Sequence, residues 1–195
     1  YNLGLAFNKQ DRTEEAIKHF LHALRINPDS ERAHYNLGLA INKQGRTEEA
    51  IKHLLHALRI NPDYVKAHYN LGLALNKQGR TEKAIEHYLH ALRINPNFRE
   101  ADINLGNVLN KQGHTEEAIE HYLQALRINP DSERAHYNLG LAFNKQDRTE
   151  ETIKHYLQAL RINPNFAEAH INLGNVLNKQ GHTEEAIEHF LRALR

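Results

Sequence analysis

Five prolines, Pro28, Pro62, Pro96, Pro130 and Pro164, stand 34 residues apart, and Gly38, Gly72, Gly106, Gly140 and Gly174 keep the same interval. A fixed period of this length means one supersecondary unit copied in tandem, each copy too small to bury its apolar face without its neighbours. With the proline taken as position 32, the chain runs from position 5 of a first copy to position 29 of a sixth. The copies are 1–30 (partial), 31–64, 65–98, 99–132, 133–166 and 167–195 (partial), a single array over 1–195 with nothing left over.

Each copy spells a pair of helices. In residues 31–64, Ala33, Leu37, Ala40 and Ile41 recur at the spacing that places them on one helical face. Gly45 then supplies a helix stop, free to take positive φ. Thr47 is expected as the N-cap of the second helix, with Glu48 and Glu49 at the positive end of its dipole. Ala50, Ile51, Leu54, Leu55, Ala57 and Leu58 form its apolar stripe, and Arg59 sits near the carbonyl end. Asn61-Pro62 closes it, because proline disfavours helical geometry in the residue before it. The small residues Gly38, Ala50 and Ala57 let the two helices approach closely. The chain is therefore predicted to be all-α, a series of antiparallel helix pairs.

Composition narrows the partner classes. The chain has 25 Lys and Arg against 24 Asp and Glu, with 15 His counted neutral. A balance this even gives no reason to expect a nucleic acid or a membrane surface as partner. No run of residues approaches the ~18 apolar positions that a membrane-spanning helix needs. The lack of Cys removes disulfide and thiolate chemistry without identifying a compartment. The lack of Met and the opening at Tyr1 in mid-pattern suggest a piece of a longer chain.

Leu37, Gly38, Ala50, Ala57 and Pro62, with Tyr88 in the aromatic slot of the second helix, resemble the tetratricopeptide (TPR) repeat over the whole chain. The resemblance implies a TPR solenoid, a right-handed superhelix whose first helices line the concave side. The chain departs from that pattern at position 4, where a Trp or other large apolar residue is usual. Here it carries His34, His68, Asp102, His136 or His170, an exchange expected to loosen packing between repeats. The copies also differ from one another by exchanges within reach of one nucleotide: His56 against Gln124, Phe20 against Tyr156, Gly45 against Asp147, Ala118 against Thr152. That is the mark of duplication followed by drift.

Function is expected on the first helices, since a solenoid presents one continuous groove there. Positions 2, 6, 9 and 13 share a face. They read Arg32-Asn36-Leu39-Lys43, Lys66-Asn70-Leu73-Lys77 and Glu100-Asn104-Asn107-Lys111, then Arg134-Asn138-Leu141-Lys145 and Glu168-Asn172-Asn175-Lys179. An asparagine amide both donates and accepts, so such a ladder suits the backbone of an extended peptide. The lysines favour an acidic partner or a terminal carboxylate, and the leucines add apolar contact. The Asn-Leu-Gly, Gln-Gly and Glu-Glu-Ala-Ile phrases are similar to the TPR arm of O-linked N-acetylglucosamine transferases. That likeness implies backbone capture by Asn36, Asn70, Asn104, Asn138 and Asn172, with Asn2 at the start of the chain. The carboxylate clamp of chaperone-binding relatives needs Lys at position 5, where this chain has Tyr35, Tyr69, Ile103, Tyr137 or Ile171.

The remaining candidates are weaker. His19 and His22, His53 and His56, and His87 and His90 have an i, i+3 spacing able to hold a divalent metal, but no carboxylate or Cys completes a set, and Gln124 and Gln158 replace the second member later. No metal or cofactor is expected. Ser30 and Ser132 stand where helix capping explains them, and no phosphate-binding glycine loop is present. The expectation is a protein-interaction scaffold without catalysis of its own, binding a peptide or a partner helix. The alternatives are the substrate-recognition arm of a larger enzyme, or head-to-tail self-association through uncapped ends at Ile187, Leu191 and Leu194.

Overall fold

The computed structural model describes residues 1–194, and every regular element among them is an α-helix. The order is α1 (Asn2–Lys9), α2 (Thr13–Ile26), α3 (Glu31–Lys43), α4 (Thr47–Ile60), α5 (Val65–Lys77) and α6 (Thr81–Ile94), then α7 (Arg99–Gln112), α8 (Thr115–Ile128), α9 (Glu133–Lys145), α10 (Thr149–Ile162), α11 (Ala167–Lys179) and α12 (Thr183–Ala193). They fall into two compact units, Tyr1–Pro96 with α1 to α6 and Asn97–Arg195 with α7 to α12. Inside each unit every helix packs on the one before and the one after. The odd-numbered helices are the first members of their pairs.

Within a pair, the closest approach is an aromatic ring laid over a glycine. A Cβ added to Gly72 would stand 2.6 Å from Cε1 of Tyr88, and one on Gly106 would stand 2.6 Å from Cε1 of Tyr122. Real side chains do not approach so closely, so hydrogen at these positions lets the second helix bring its ring down onto the first. In the pair α3/α4, a Cβ on Gly38 would meet Cγ of Leu54 at 3.1 Å and the Ala50 carbonyl oxygen at 3.2 Å, a looser fit. Around these contacts the first unit buries Ala16, Ile17, Phe20, Leu37, Ala40, Ile41 and Ala50. The second has a corresponding cluster of Tyr156, Leu160, Ala169, Leu173, Val176, Leu177 and Ala186.

The turns show how each pair closes. Gly45 has φ +81°, the left-handed stop expected, and Asp11 (φ 59°) and Asp147 (φ 57°) take the same conformation with a side chain. Thr47, expected as N-cap, is instead the first helical residue, and Arg46 occupies the cap position. The left-handed residue turns the chain so that the Thr47 N–H reaches the Gly45 carbonyl at 2.9 Å, and the Thr47 hydroxyl lies 3.5 Å from that same oxygen instead of accepting from a helical N–H. The Arg46 guanidinium folds forward onto Glu49 at 2.6 Å. Between pairs, Asn61 Oδ1 accepts from the Asp63 N–H at 3.1 Å, an Asx turn that carries the chain past Pro62. Ser30 and Ser132 cap their helices through Oγ, as expected from sequence.

One further expectation is corrected. Leu55 does not join the buried stripe of α4; it is 37% exposed while Leu54 is 1% exposed. Consecutive helical residues point about 100° apart, and Leu54 stands in the middle of the stripe while Leu55 falls at its edge. The polar residues at position 4 are held inside their own helix pairs. His34, His68, Asp102, His136 and His170 are all buried, each bonded to a histidine on the second helix of its own pair.

Candidate peptide-binding face

The asparagines at position 6 bridge successive first helices. In the first unit, Asn36 Nδ2 donates to Tyr1 Oη at 2.9 Å and to the Arg32 carbonyl at 2.8 Å. Asn70 Nδ2 donates to Tyr35 Oη at 3.1 Å and to the Lys66 carbonyl at 2.8 Å. A backbone carbonyl only accepts, so the amide nitrogen must face it, which fixes the orientation of the group. Both hydrogens of each amide are thus engaged internally, and Oδ1 of Asn36 and Asn70 accepts no bond among the described residues. The tyrosine oxygen accepts from the asparagine and keeps its own proton to give. Burial pushes the Tyr35 phenol up to about 12, so that proton stays in place at neutral pH.

The second unit uses the same bridge with one change. Asn172 Nδ2 donates to Tyr137 Oη at 2.9 Å. In the preceding rung the place of the tyrosine is taken by Ile103, and Asn138 Nδ2 donates instead to Asn107 Oδ1 at 2.8 Å. That same oxygen accepts from the Tyr122 hydroxyl at 2.9 Å. Where position 9 is leucine this acceptor is missing, and the buried hydroxyls of Tyr88 and Tyr156 have no partner among the described residues. Asn104 donates to the Glu100 carbonyl at 2.8 Å.

The other candidate residues fall around these bridges. Leu39, Leu73, Leu141 and Asn107 are half-buried, Asn175 is exposed, and Lys43, Lys77, Lys111, Lys145 and Lys179 are all exposed. Lys43 pairs with Asp11, and Lys145 Nζ donates to the Asn110 carbonyl at 2.7 Å. In the first unit Lys77 borders a hollow of about 490 Å³ with Gln78, Glu48 and Glu49. In the second, a cleft of about 330 Å³ between α9 and α11 gathers Leu141, Asn172, Asn175 and Lys179 with Asn144 and Asn178. Four of the residues picked from sequence therefore line one cleft.

Sequence reading missed the tyrosine half of each bridge. The signal was present: Tyr35 and Asn70 are 35 residues apart, one period plus one, which places positions 5 and 6 of adjacent copies side by side. It also missed the cross-helix partners of the histidines. His53 pairs with His34 on the partner helix at 3.1 Å rather than with His56, which stacks on His34 with ring centroids 4.0 Å apart. Among the described residues no group of three or more His, Asp or Glu is placed to hold a metal, and no helix is long and apolar enough to cross a membrane.

Tandem helical hairpins with glycine-to-aromatic contacts define an α-helical repeat protein. A family model described as TPR repeat matches residues 4–45, 40–79, 106–147 and 142–181, and tetratricopeptide repeat models match 65–98 and 169–195, so the chain belongs to the tetratricopeptide repeat family. No curated protein sequence matches it. Among solved structures it is similar to MamA from Desulfovibrio magneticus, with 25% identity over 84% of this chain and 93% of that one and a TM-score of 0.77. It is also similar to YrrB, described as a TPR protein with an unusual peptide-binding site, with 20% identity over 90% of each chain and a TM-score of 0.74. The type IV pilus biogenesis factor PilW aligns at 18% identity over 96% of this chain and 87% of its own, with a TM-score of 0.86.

Proposed function

We propose that this chain is a protein-interaction scaffold that holds an extended peptide along the faces of its first helices. The observation that carries the reading is the asparagine–tyrosine bridge, which offers one free acceptor, Asn Oδ1, beside one free donor, the tyrosine O–H. A peptide unit carries the complementary pair, an N–H and a carbonyl. The donor half of the grip thus belongs to Tyr35 and Tyr137, and the asparagines serve as acceptors only. Each such bond nets ~1 kcal/mol, so several in register hold a backbone with little side-chain selectivity. The likeness to YrrB, a TPR protein described with a peptide-binding site, supports the reading.

Side-chain preference comes from positions 2 and 9. In the first unit these are Arg32 and Lys66 with Leu39 and Leu73, a cationic and apolar set suited to an acidic segment bearing aliphatic side chains. In the second they are Glu100, Arg134 and Glu168 with Asn107, Leu141 and Asn175, suited to an uncharged polar segment. The lysines at position 13, exposed and screened by salt, act on association rate more than on affinity. The narrower reading, a substrate-recognition arm of a larger glycosyltransferase-type enzyme, is supported by the asparagine recurring at position 6 of the copies.

A peptide array probed with the chain and with a variant carrying Asn70→Ala, Asn104→Ala and Asn138→Ala tests the reading. Loss of bound peptides with the helical signal retained is the expected result. Retention of the same peptides at the same strength would remove the ladder from the account.

A further inference from the structure

Position 4 carries a buried polar contact that the peptide face does not use. His34 Nε2 donates to the Pro28 carbonyl at 3.0 Å, and its Nδ1 lies 3.1 Å from Nδ1 of His53. His68 repeats this with Pro62 at 2.9 Å and His87 at 3.0 Å. His136 does so with Pro130 at 3.1 Å and His155 at 3.0 Å, and His170 with Pro164 at 3.0 Å and His189 at 2.8 Å.

The proton positions follow from the acceptors. A carbonyl cannot donate, so the first ring of each pair carries its hydrogen on Nε2, and when neutral its Nδ1 is a bare acceptor. The second ring must then hold its hydrogen on Nδ1. One added proton fits without breaking anything: it takes Nε2 of the second ring, whose Nδ1–H still points at the first. A second proton has only the shared Nδ1-to-Nδ1 line left, where two N–H groups on two cations would face each other at about 3 Å.

We propose that each of these four histidine pairs is a latch, holding its hairpin closed with no proton or one and releasing it when both rings are charged. The groups facing each pair set how readily that happens. His34 and His53 meet His56, Asp29 and Glu49; His68 and His87 meet His90 and Asp63. His136 and His155 meet Lys154, Arg161, Asp131 and Glu151, and His170 and His189 meet Arg192, Glu185 and Glu188. Burial holds His34, His53, His68, His136 and His189 below the ordinary histidine value, and His87 and His155 down to about 4. A lowered folded value means that the unfolded chain binds the extra proton. The contribution to stability is therefore complete above the unfolded value near pH 6.5 and is lost as pH falls toward 4.

The pair α7/α8 supplies an internal control. Asp102, buried, accepts from His121 Nδ1 at 3.0 Å, so a proton on His121 turns the contact into an ion pair instead of opening it. This inference holds whether or not the first-helix face binds peptide.

The test is far-ultraviolet circular dichroism of the whole chain between pH 7.5 and 4, compared with the double variant His68→Asp, His136→Asp, which copies the Asp102 arrangement into two more hairpins. The expected result is an acid midpoint lower by roughly half a pH unit or more. A midpoint unchanged or raised, with full helicity at neutral pH, overturns the latch. If the double variant loses helicity at neutral pH, nitrogen-15 spectra of the histidine rings of the unaltered chain decide. One Nδ1–H and one Nε2–H ring per pair is expected; Nε2–H on every ring, or both rings of a pair charging near pH 6.5 with the helices intact, overturns it.

Discussion

The two units are written in the same repeat yet carry different first-helix faces. The first offers Leu39 and Leu73 with Arg32 and Lys66; the second alternates Asn107, Leu141 and Asn175 with Glu100, Arg134 and Glu168. Behind those faces the packing is alike, an aromatic ring over a glycine at Gly72 and Tyr88 in one unit and at Gly106 and Tyr122 in the other. The difference teaches which positions the fold constrains. Glycine at position 8 has no room for a methyl group, whereas position 9, one residue on, is half-exposed and takes leucine or asparagine. Drift at position 9 therefore alters the exposed face while the ring-over-glycine contact stays as it is.

The comparison breaks most severely at the glycines. Gly106→Ala drives a methyl group into Tyr122 and is expected to cost ~3 kcal/mol in denaturant unfolding, against ~1 kcal/mol for Gly38→Ala, whose contacts with Leu54 and the Ala50 carbonyl are longer. Next comes position 9. Asn107→Leu removes the acceptor shared by the Tyr122 hydroxyl and the Asn138 amide and is expected to cost ~2 kcal/mol by the same assay. The reverse exchange, Leu141→Asn, offers the Tyr156 hydroxyl the partner it lacks and is expected to gain ~1 kcal/mol. Smallest is the turn: Asp147→Gly relieves a left-handed aspartate, for a gain of ~0.5 kcal/mol, while the corresponding Gly45 is already relaxed. Equal effects of Asn107→Leu and Leu141→Asn would show that position 9 does not serve the tyrosine hydroxyl.

The hairpins were legible because their signals are local and repeated. Proline, glycine and the apolar spacing place α3 and α4 within a residue or two, and Ser30 and Ser132 announce their caps. Thr47 misled because the cap depends on the backbone path through Gly45, which residue preference alone does not encode. The histidine partners were hidden for a different reason. Spacing along one helix made His53 and His56 neighbours, but the partner of His53 comes from the other helix, 19 residues earlier. The face was half legible: the 34-residue period put the asparagines in line, and the tyrosine bridges that commit their donors depend on how adjacent first helices meet.

The most direct test of the central claim is to bind a short acidic peptide of alternating Asp and Leu, carrying a photoreactive group, and to map the cross-linked residues by mass spectrometry. Cross-links on α3 and α5, around Leu39, Asn70 and Leu73, lost on Lys66→Glu and competed away by salt, are the predicted result. Cross-links instead on the exposed second-helix leucines, Leu21, Leu55 and Leu89, would contradict the account and move binding to the opposite members of the helix pairs.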